Sequence, residues 1–430
     1  MKKIIFTISL ILMLIMSSVA AFGQDQITVS IDSTKVEFND ETGSPFVDAN
    51  YRTQVPFKAT LEKFGAEVKW DNETRTAVAT KGDITIQVPI GQNYIMKNGE
   101  KIATDTAAII VNSRTYLPIR AVIEAFGSEV QWDQGLNTVV ITSTPVDAKA
   151  MLMDAYTKSA AWKNYDSNIV MDMAMNVPDE SGSVQNMNMK MNMFMTAFTN
   201  PQKIKVTSSM VMDFAGESIN QPVLDMYVTM DDSKFTTYMG MYNADGKLTW
   251  TKSVIDDALL AEMSSYDIQA NLELTEKYTK DVKYFGKYTD ESGRTLIKIQ
   301  NTLSGEIYTE LLGTYLEQLA GSTSTDDILA ADMLSNLGDF VFIMYIDEAT
   351  GEIVKYEMDL GSIYSSMFSG AADNANLSEE DKAAFEMLKD IKAVMVMDVI
   401  NINKAADFEI PKEALDAPEA SELVEEEVVE

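Results

Sequence analysis

Two hydrophobic rhythms divide the chain. In the first third, apolar residues recur at helical spacing in short bursts. Ile119, Val122, Ile123 and Phe126 fall at i, i+3, i+4 and i+7, which predicts one apolar stripe on a short helix. Leu117 stands before a proline and is expected to be extended, Pro118 suits the first helical turn, and Gly127 suits a left-handed end. After it, residues 129–132 alternate as a strand does, 133–137 read as a turn, and 138–142 as a second strand. The same pattern stands 62 residues earlier, with Pro56, then Phe57, Leu61 and Phe64, then Gly65. The segments 50–71 and 112–133 agree at 12 of 22 positions, so a helix-and-hairpin unit is duplicated. Strand-like residues 27–31 precede the first copy, and 84–89 with 109–111 precede the second.

Beyond a polar link at 144–149 and a helical run at 148–162, the period becomes two. Residues 169–175 alternate, placing Met171, Met173 and Met175 on one side. The segment 187–195 alternates more strictly, with Met187, Met189, Met191, Met193 and Met195 at every odd position. Met210 and Met212 continue the theme at 209–212, followed by 226–230, 238–241 and 394–399. Helices are expected at 253–263, 305–320 and 326–337, and a hairpin at 340–360 around the turn 347–351. Ser378 with Asp381 reads as a capping box for a further helix, and two closing strands are expected to end at 408–411.

Of 28 methionines, 24 follow residue 150, so the alternation is a property of the second domain. It admits three readings. Methionine fills irregular gaps, so the face could be an ordinary core. An adaptable thioether surface also suits a large apolar ligand such as a lipid tail, where a plain core would favour stiffer Leu, Ile and Val. Clustered thioethers could instead take Cu(I), a soft ion.

Composition narrows the chemistry. There is no cysteine and no histidine. Disulfides, a cysteine-linked lipid anchor, a Ser-His-Asp triad and His-ligated zinc or copper are all excluded. The expectation is a protein that is not an enzyme and carries no cofactor. Net charge is −32, with −5 over residues 24–145 and −29 from 146 onward. Such a chain repels phosphate backbones and anionic membranes, so nucleic acid is not an expected partner. The tail 413–430 has eight acidic residues and no basic one, and is expected to be disordered. Lys2 and Lys3, the apolar run 4–16 and Ala21-Phe22-Gly23 read as a secretory signal over 1–23. The mature chain is then exported, without an integral membrane segment.

The repeated polar pairs, Lys58 with Glu62 and Arg120 with Glu124, are expected on solvated helix faces. Trp70 and Trp132 are expected to plug the core. On these residues the stretch RTYLPIRAVIEAFGSEVQWD with TVVIT, spanning about 28–143, resembles the N-terminal domain shared with some copper amine oxidases. That resemblance implies a small α+β accessory domain that does not hold the copper. Asn164-Tyr165-Asp166 looks like the tripeptide from which those oxidases build a quinone, but the histidine ligands they need are missing here. The hairpin YIDEATGEIVKYEMDL and the closing FEIP resemble LolA/LppX-like half-barrels over about 148–411. This second resemblance implies a curved antiparallel sheet over helices, with acyl chains held between.

The expected fold class is therefore α+β. A small antiparallel sheet with helices forms a duplicated N-terminal domain (24–143), and a curved antiparallel half-barrel packed on helices follows (150–412). The expected role is a non-catalytic cell-envelope protein, secreted and wall-associated, with a wall- or protein-contact module and a lipid-like ligand. A purely structural surface adaptor is the alternative.

Overall fold

The computed structural model describes residues 27–178, 184–214, 217–231, 234–243, 245–255, 268–307, 309–310, 337–372 and 391–419. The expected leader at 1–23, most of the helices expected at 305–320 and 326–337, the helix after Ser378 and the tail from 420 lie outside them. The chain divides into two compact units. Residues 21–148 group with 283–299, and 149–282 group with 300–430.

In the N-terminal unit each copy of the duplicated motif builds the same local structure. Strand β4 (Thr53–Pro56) runs into helix α1 (Phe57–Lys63), then β5 (Glu67–Asp71) and β6 (Thr76–Lys81). The second copy gives β11 (Arg114–Pro118), α2 (Ile119–Ala125), β12 (Glu129–Asp133) and β13 (Thr138–Thr142). Each proline is the last strand residue and caps the helix, one position earlier than the sequence pattern predicts. Gly65 and Gly127 hold φ of +87° and +85°. Ala66 N–H donates to Leu61 O and Gly65 N–H to Glu62 O. The second copy repeats this with Ser128 to Ile123 and Gly127 to Glu124. Both helices thus end in the paired bonds that a left-handed glycine permits.

The copies meet about a local twofold axis. β4 and β11 pair antiparallel, with Val55 opposite Leu117, its own counterpart in the other copy. Phe64 and its counterpart Phe126 pack with ring centroids 5.6 Å apart. Leu61 and Ile123 are fully buried beside them in one core. The copies differ in what completes their sheets. β6 receives β7 (Ile84–Pro89) antiparallel, whereas β13 receives β1 (Thr28–Ile31) in parallel. The expected single antiparallel sheet is therefore three small sheets, one containing a parallel pair.

One curled sheet of eleven strands follows, most of it in the second unit; residues 283–299 of its last two strands group with the N-terminal unit. Its order begins β19 (Leu248–Ile255), β18 (Lys234–Tyr242), β17 (Glu217–Asp231), β16 (Gln202–Phe214), β15 (Val184–Thr199) and β14 (Asn164–Pro178). It continues with β24 (Lys392–Ile400), β23 (Ile353–Asp359), β22 (Phe340–Asp347), β21 (Thr295–Leu303) and β20 (Thr279–Thr289). The first strand after the leading helix thus pairs with the last strand of the chain. A register shift at Ser208/Ser209, facing Pro222, interrupts the β16–β17 ladder, and a bulge of this kind bends the strand that carries it. Helices α3 (Ala148–Ala160), α4 (Ile268–Tyr278) and α5 (Gly361–Ala372) pack on one face. Helices are sparse beside the strands, so α+β describes the chain only coarsely.

Three expectations change here. Residues 253–255, expected to open a helix, finish β19, because they pair with β18 through Ser253 opposite Thr237. One closing strand forms instead of two. The segment after it is irregular and lays Phe408 against Phe198 and Tyr227 on the sheet face away from the helices. Residues 413–419 are ordered. Lys412–Leu415 forms α6 with Ala414 fully buried, Lys252 N–H donates to Pro418 O, and the backbones of Lys252 and Glu419 form an isolated parallel β-bridge. An uncovered edge strand leaves backbone groups without ladder partners, and this segment covers part of the β19 edge.

Candidate functional site

The methionines of the second unit form rows across the sheet. Because directly opposed residues share a face, register decides which side chains meet. Met358 lies opposite Met395, Met395 opposite Met171, Met171 opposite Met191, and Met191 opposite Met210. Five adjacent strands thus contribute one methionine each to a single row. Met173, Met189 and Met212 form the next row, and Met175 opposes Met187. Ile169 and Met193 lie on the other side of the central row, then Ser167 and Met195.

Burial changes along the row. Met358, Met395 and Met171 are buried beneath Leu274 of α4 and Ile363 and Met367 of α5. Met191 and Met173 are half-buried and pack against that cluster. Met193 and Met195 bridge it to a second cluster around Val206, Leu224 and Met226. Met175, Met187, Met189, Met210 and Met212 are half-exposed and belong to neither core. The ten expected site residues therefore share one face; among the described residues Leu274, Ile363 and Met367 cover its β23 end, and no described core cluster takes in Met189, Met210 and Met212 on β15 and β16.

The opposite face is polar at the same positions. Asp172 and Lys190 oppose each other across β14 and β15 with 3.2 Å between charges, both half-exposed. Such a pair stabilises by little, but it marks the solvated side. The alternation read from the sequence is thus carried into the sheet.

Sequence reasoning did not single out the tyrosines under α3. The Tyr156 hydroxyl donates to Met344 Sδ at 3.3 Å. Burial pushes the Tyr156 hydroxyl pKa up to about 12, against the neighbouring Asn301 amide. Burial raises Tyr356 further, and the nearby Tyr156 and Tyr165 add to it. Tyr165 and Tyr364 are also raised by burial. Tyr356 stands in the row of Met397, Ile169 and Met193, so these hydroxyls lie on the methionine side. Ser167 is fully buried with a hydroxyl that lacks a hydrogen-bond partner among the described residues, and the fully buried Asn301 amide sits beside the Tyr156 hydroxyl. An orphaned buried polar atom costs about 1–3 kcal/mol, so the helix-covered end of the face can accept a polar group.

The tripeptide 164–166 is structural. Asn164 Oδ1 accepts from Ala405 N–H, the Tyr165 ring packs edge-on against Trp162, and Asp166 accepts from Thr196 Oγ1 and Asn401 Nδ2. Among the described residues no group of three or more His, Cys, Asp or Glu is placed to hold a metal ion. No described helix is long and apolar enough to cross a membrane.

The N-terminal unit carries two grooves of about 730 and 490 Å3. Trp132 and Arg120 line the larger, Trp70 and Lys58 the smaller. Trp132 is half-buried against the core as expected. Trp70 is 40% exposed, contrary to its expected role as a core plug. It sits on β5, an outer strand of its sheet, and its Nε1–H donates to Asn72 Oδ1 at the hairpin turn. The Lys58–Glu62 and Arg120–Glu124 pairs are exposed at 3.8 and 3.9 Å, as expected of solvated faces.

No curated protein matches the chain. Among solved structures, a DUF1329 family protein from Desulfovibrio piger ATCC 29098 aligns over 62% of this chain and 96% of its own, at 10% identity and a TM-score of 0.19. Residues 23–141 match the family profile described as the copper amine oxidase N-terminal domain. That span is the duplicated helix-and-hairpin unit, so the N-terminal part of this chain is similar to the N-terminal domain of those oxidases, and their catalytic domain is not matched.

Proposed function

We propose that the protein is a non-catalytic, exported envelope protein whose methionine face takes a hydrophobic, lipid-like guest. The observation that carries this reading is the five-strand methionine row, buried at one end and, among the described residues, part-exposed at the other. A closed core has no use for a graded exposure. Flexible thioethers suit a guest of variable shape, because unbranched side chains adapt without strain. The N-terminal unit serves as an accessory module that contacts a wall component or a protein.

The test is native mass spectrometry of the full chain, purified from its source without detergent. An adduct of lipid-like mass is expected, together with saturable uptake of a fluorescent fatty acid that unlabelled palmitate displaces. Bare protein with no uptake would leave the structural adaptor as the standing account.

A further inference from the structure

The two grooves of the N-terminal unit are twins. In the larger, Tyr51 and Arg52 from the first copy face Arg120 and Trp132 from the second. In the smaller, their counterparts Ser113 and Arg114 from the second copy face Lys58 and Trp70 from the first. Each groove is therefore assembled across the duplication, as the local twofold at Val55 and Leu117 requires.

The lining is aromatic and cationic. Tyr51 is 87% exposed and holds φ +58°, a left-handed conformation that non-glycine residues seldom adopt. Trp70 has its N–H committed to Asn72, so its contribution to a ligand is the flat indole face. Equivalent positions hold cations in both copies, Arg52 with Arg114 and Arg120 with Lys58. The smaller groove adds Lys69 and has no carboxylate among its lining residues, in a chain of net charge −32. Lys58 and Lys69 pair with Glu62 and Glu67 at 3.8 and 2.7 Å, but these contacts are exposed and weak, so an anion can displace them. Arg114 is held by the backbone carbonyls of Asp40 and Glu41. The larger groove is nearly balanced, since Asp105 pairs with Arg52 and Glu124 with Arg120.

We propose that the two grooves are paired subsites for a polymer of carboxylated sugar rings, with the smaller groove the tighter. A sugar ring presents a flat C–H face to an exposed aromatic, and its carboxylate accepts charge-assisted bonds from Arg and Lys. A repeating polymer fits a duplicated site, because each repeat can fill the same kind of groove. This inference deepens the contact role proposed for the N-terminal unit and is independent of the guest on the methionine face. The local twofold sets the grooves in opposite senses, so each takes its own segment, and linked segments gain in avidity.

The probe is trigalacturonate, titrated into the full chain by calorimetry. Two equivalents are expected. Lys58→Ala with Lys69→Ala weakens the tighter site by about tenfold, or about 1.4 kcal/mol, and leaves the weaker one. Tyr51→Ala with Arg120→Ala does the reverse. Hexagalacturonate and longer chains bind more tightly than the trimer, while poly-glutamate, polyphosphate and neutral dextran bind at least about tenfold more weakly. All four positions are exposed, and a thermal melt of each variant checks that the fold persists. The proposal is overturned if trigalacturonate does not bind, if poly-glutamate or polyphosphate binds as well, or if the groove variants change nothing. Retention of the full chain on an insoluble cell-wall preparation, without galacturonate binding, would also overturn it while leaving the broader contact role standing.

Discussion

Met191→Lys combined with Met210→Lys is expected to abolish guest uptake while the protein still folds. These side chains oppose each other on β15 and β16 and are both part-exposed, Met191 at the margin of the helix-covered cluster and Met210 in neither cluster. A lysine there reaches water with its ammonium while its stem covers the sheet, so the stability cost is small. A bound acyl chain would have to displace that water and desolvate two charges. Losing two thioether contacts alone removes about 0.8 kcal/mol per buried methylene-sized group, and the desolvation adds to it. Fluorescent fatty acid affinity is expected to fall by more than about tenfold. Met358→Lys, at the fully buried end of the same row, is the control. A charge with no path to water should unfold the second unit. If the double variant binds as the parent does, the part-exposed end of the row is not the guest site.

The second large effect falls in the N-terminal unit. Lys298 Nζ donates to Asp133 Oδ2 at 2.6 Å, and both residues are more than nine-tenths buried. Asp133 Oδ1 also accepts from Leu136 N–H in the β12–β13 turn, at 3.2 Å. Lys298→Met leaves a buried carboxylate without its partner and is expected to cost about 3–5 kcal/mol. Asp133→Asn keeps an acceptor for the turn but strands the ammonium, and is expected to cost a similar amount. The double variant leaves no buried charge and should recover most of the loss. Urea unfolding of the full chain measures all three. A loss below about 1 kcal/mol in either single variant would mean that the pair behaves as an exposed one.

Much of this architecture was legible in the pattern of side chains. The spacing of Ile119, Val122 and Ile123, with Gly127 after them, located α2 and its left-handed end, because local sterics decide both. The odd-numbered methionines of 187–195 located one face of β15, because strand geometry alternates side chains. What periodicity cannot supply is register and strand position. Met395 joined the row only through its pairing with Met171, 224 residues earlier, and Met358 only through Met395. Trp70 and Trp132 occupy equivalent places in the repeat, both on outer strands, yet Trp132 packs against the shared core while Trp70 is 40% exposed, a difference the repeat itself does not contain. Residues 413–419 read as a solvated acidic tail because their few apolar groups, such as Ala414, gain a partner only from the distant β18 and β19. The buried pair of Asp133 with Lys298 was equally invisible, since its members stand 165 residues apart.

The central claim is that the part-exposed end of the methionine face holds the guest, and methionine-methyl NMR tests it most directly. The full chain carries 28 methionines, of which 24 follow residue 150. With 13C-methyl methionine labelling and assignment by single substitution, palmitate is titrated into protein stripped of lipid. The account predicts that Met189, Met191, Met210 and Met212 shift and saturate together, while Met358 and Met395 and the N-terminal Met96 stay in place. No saturable shift, or shifts confined to methionines outside that group, would contradict it.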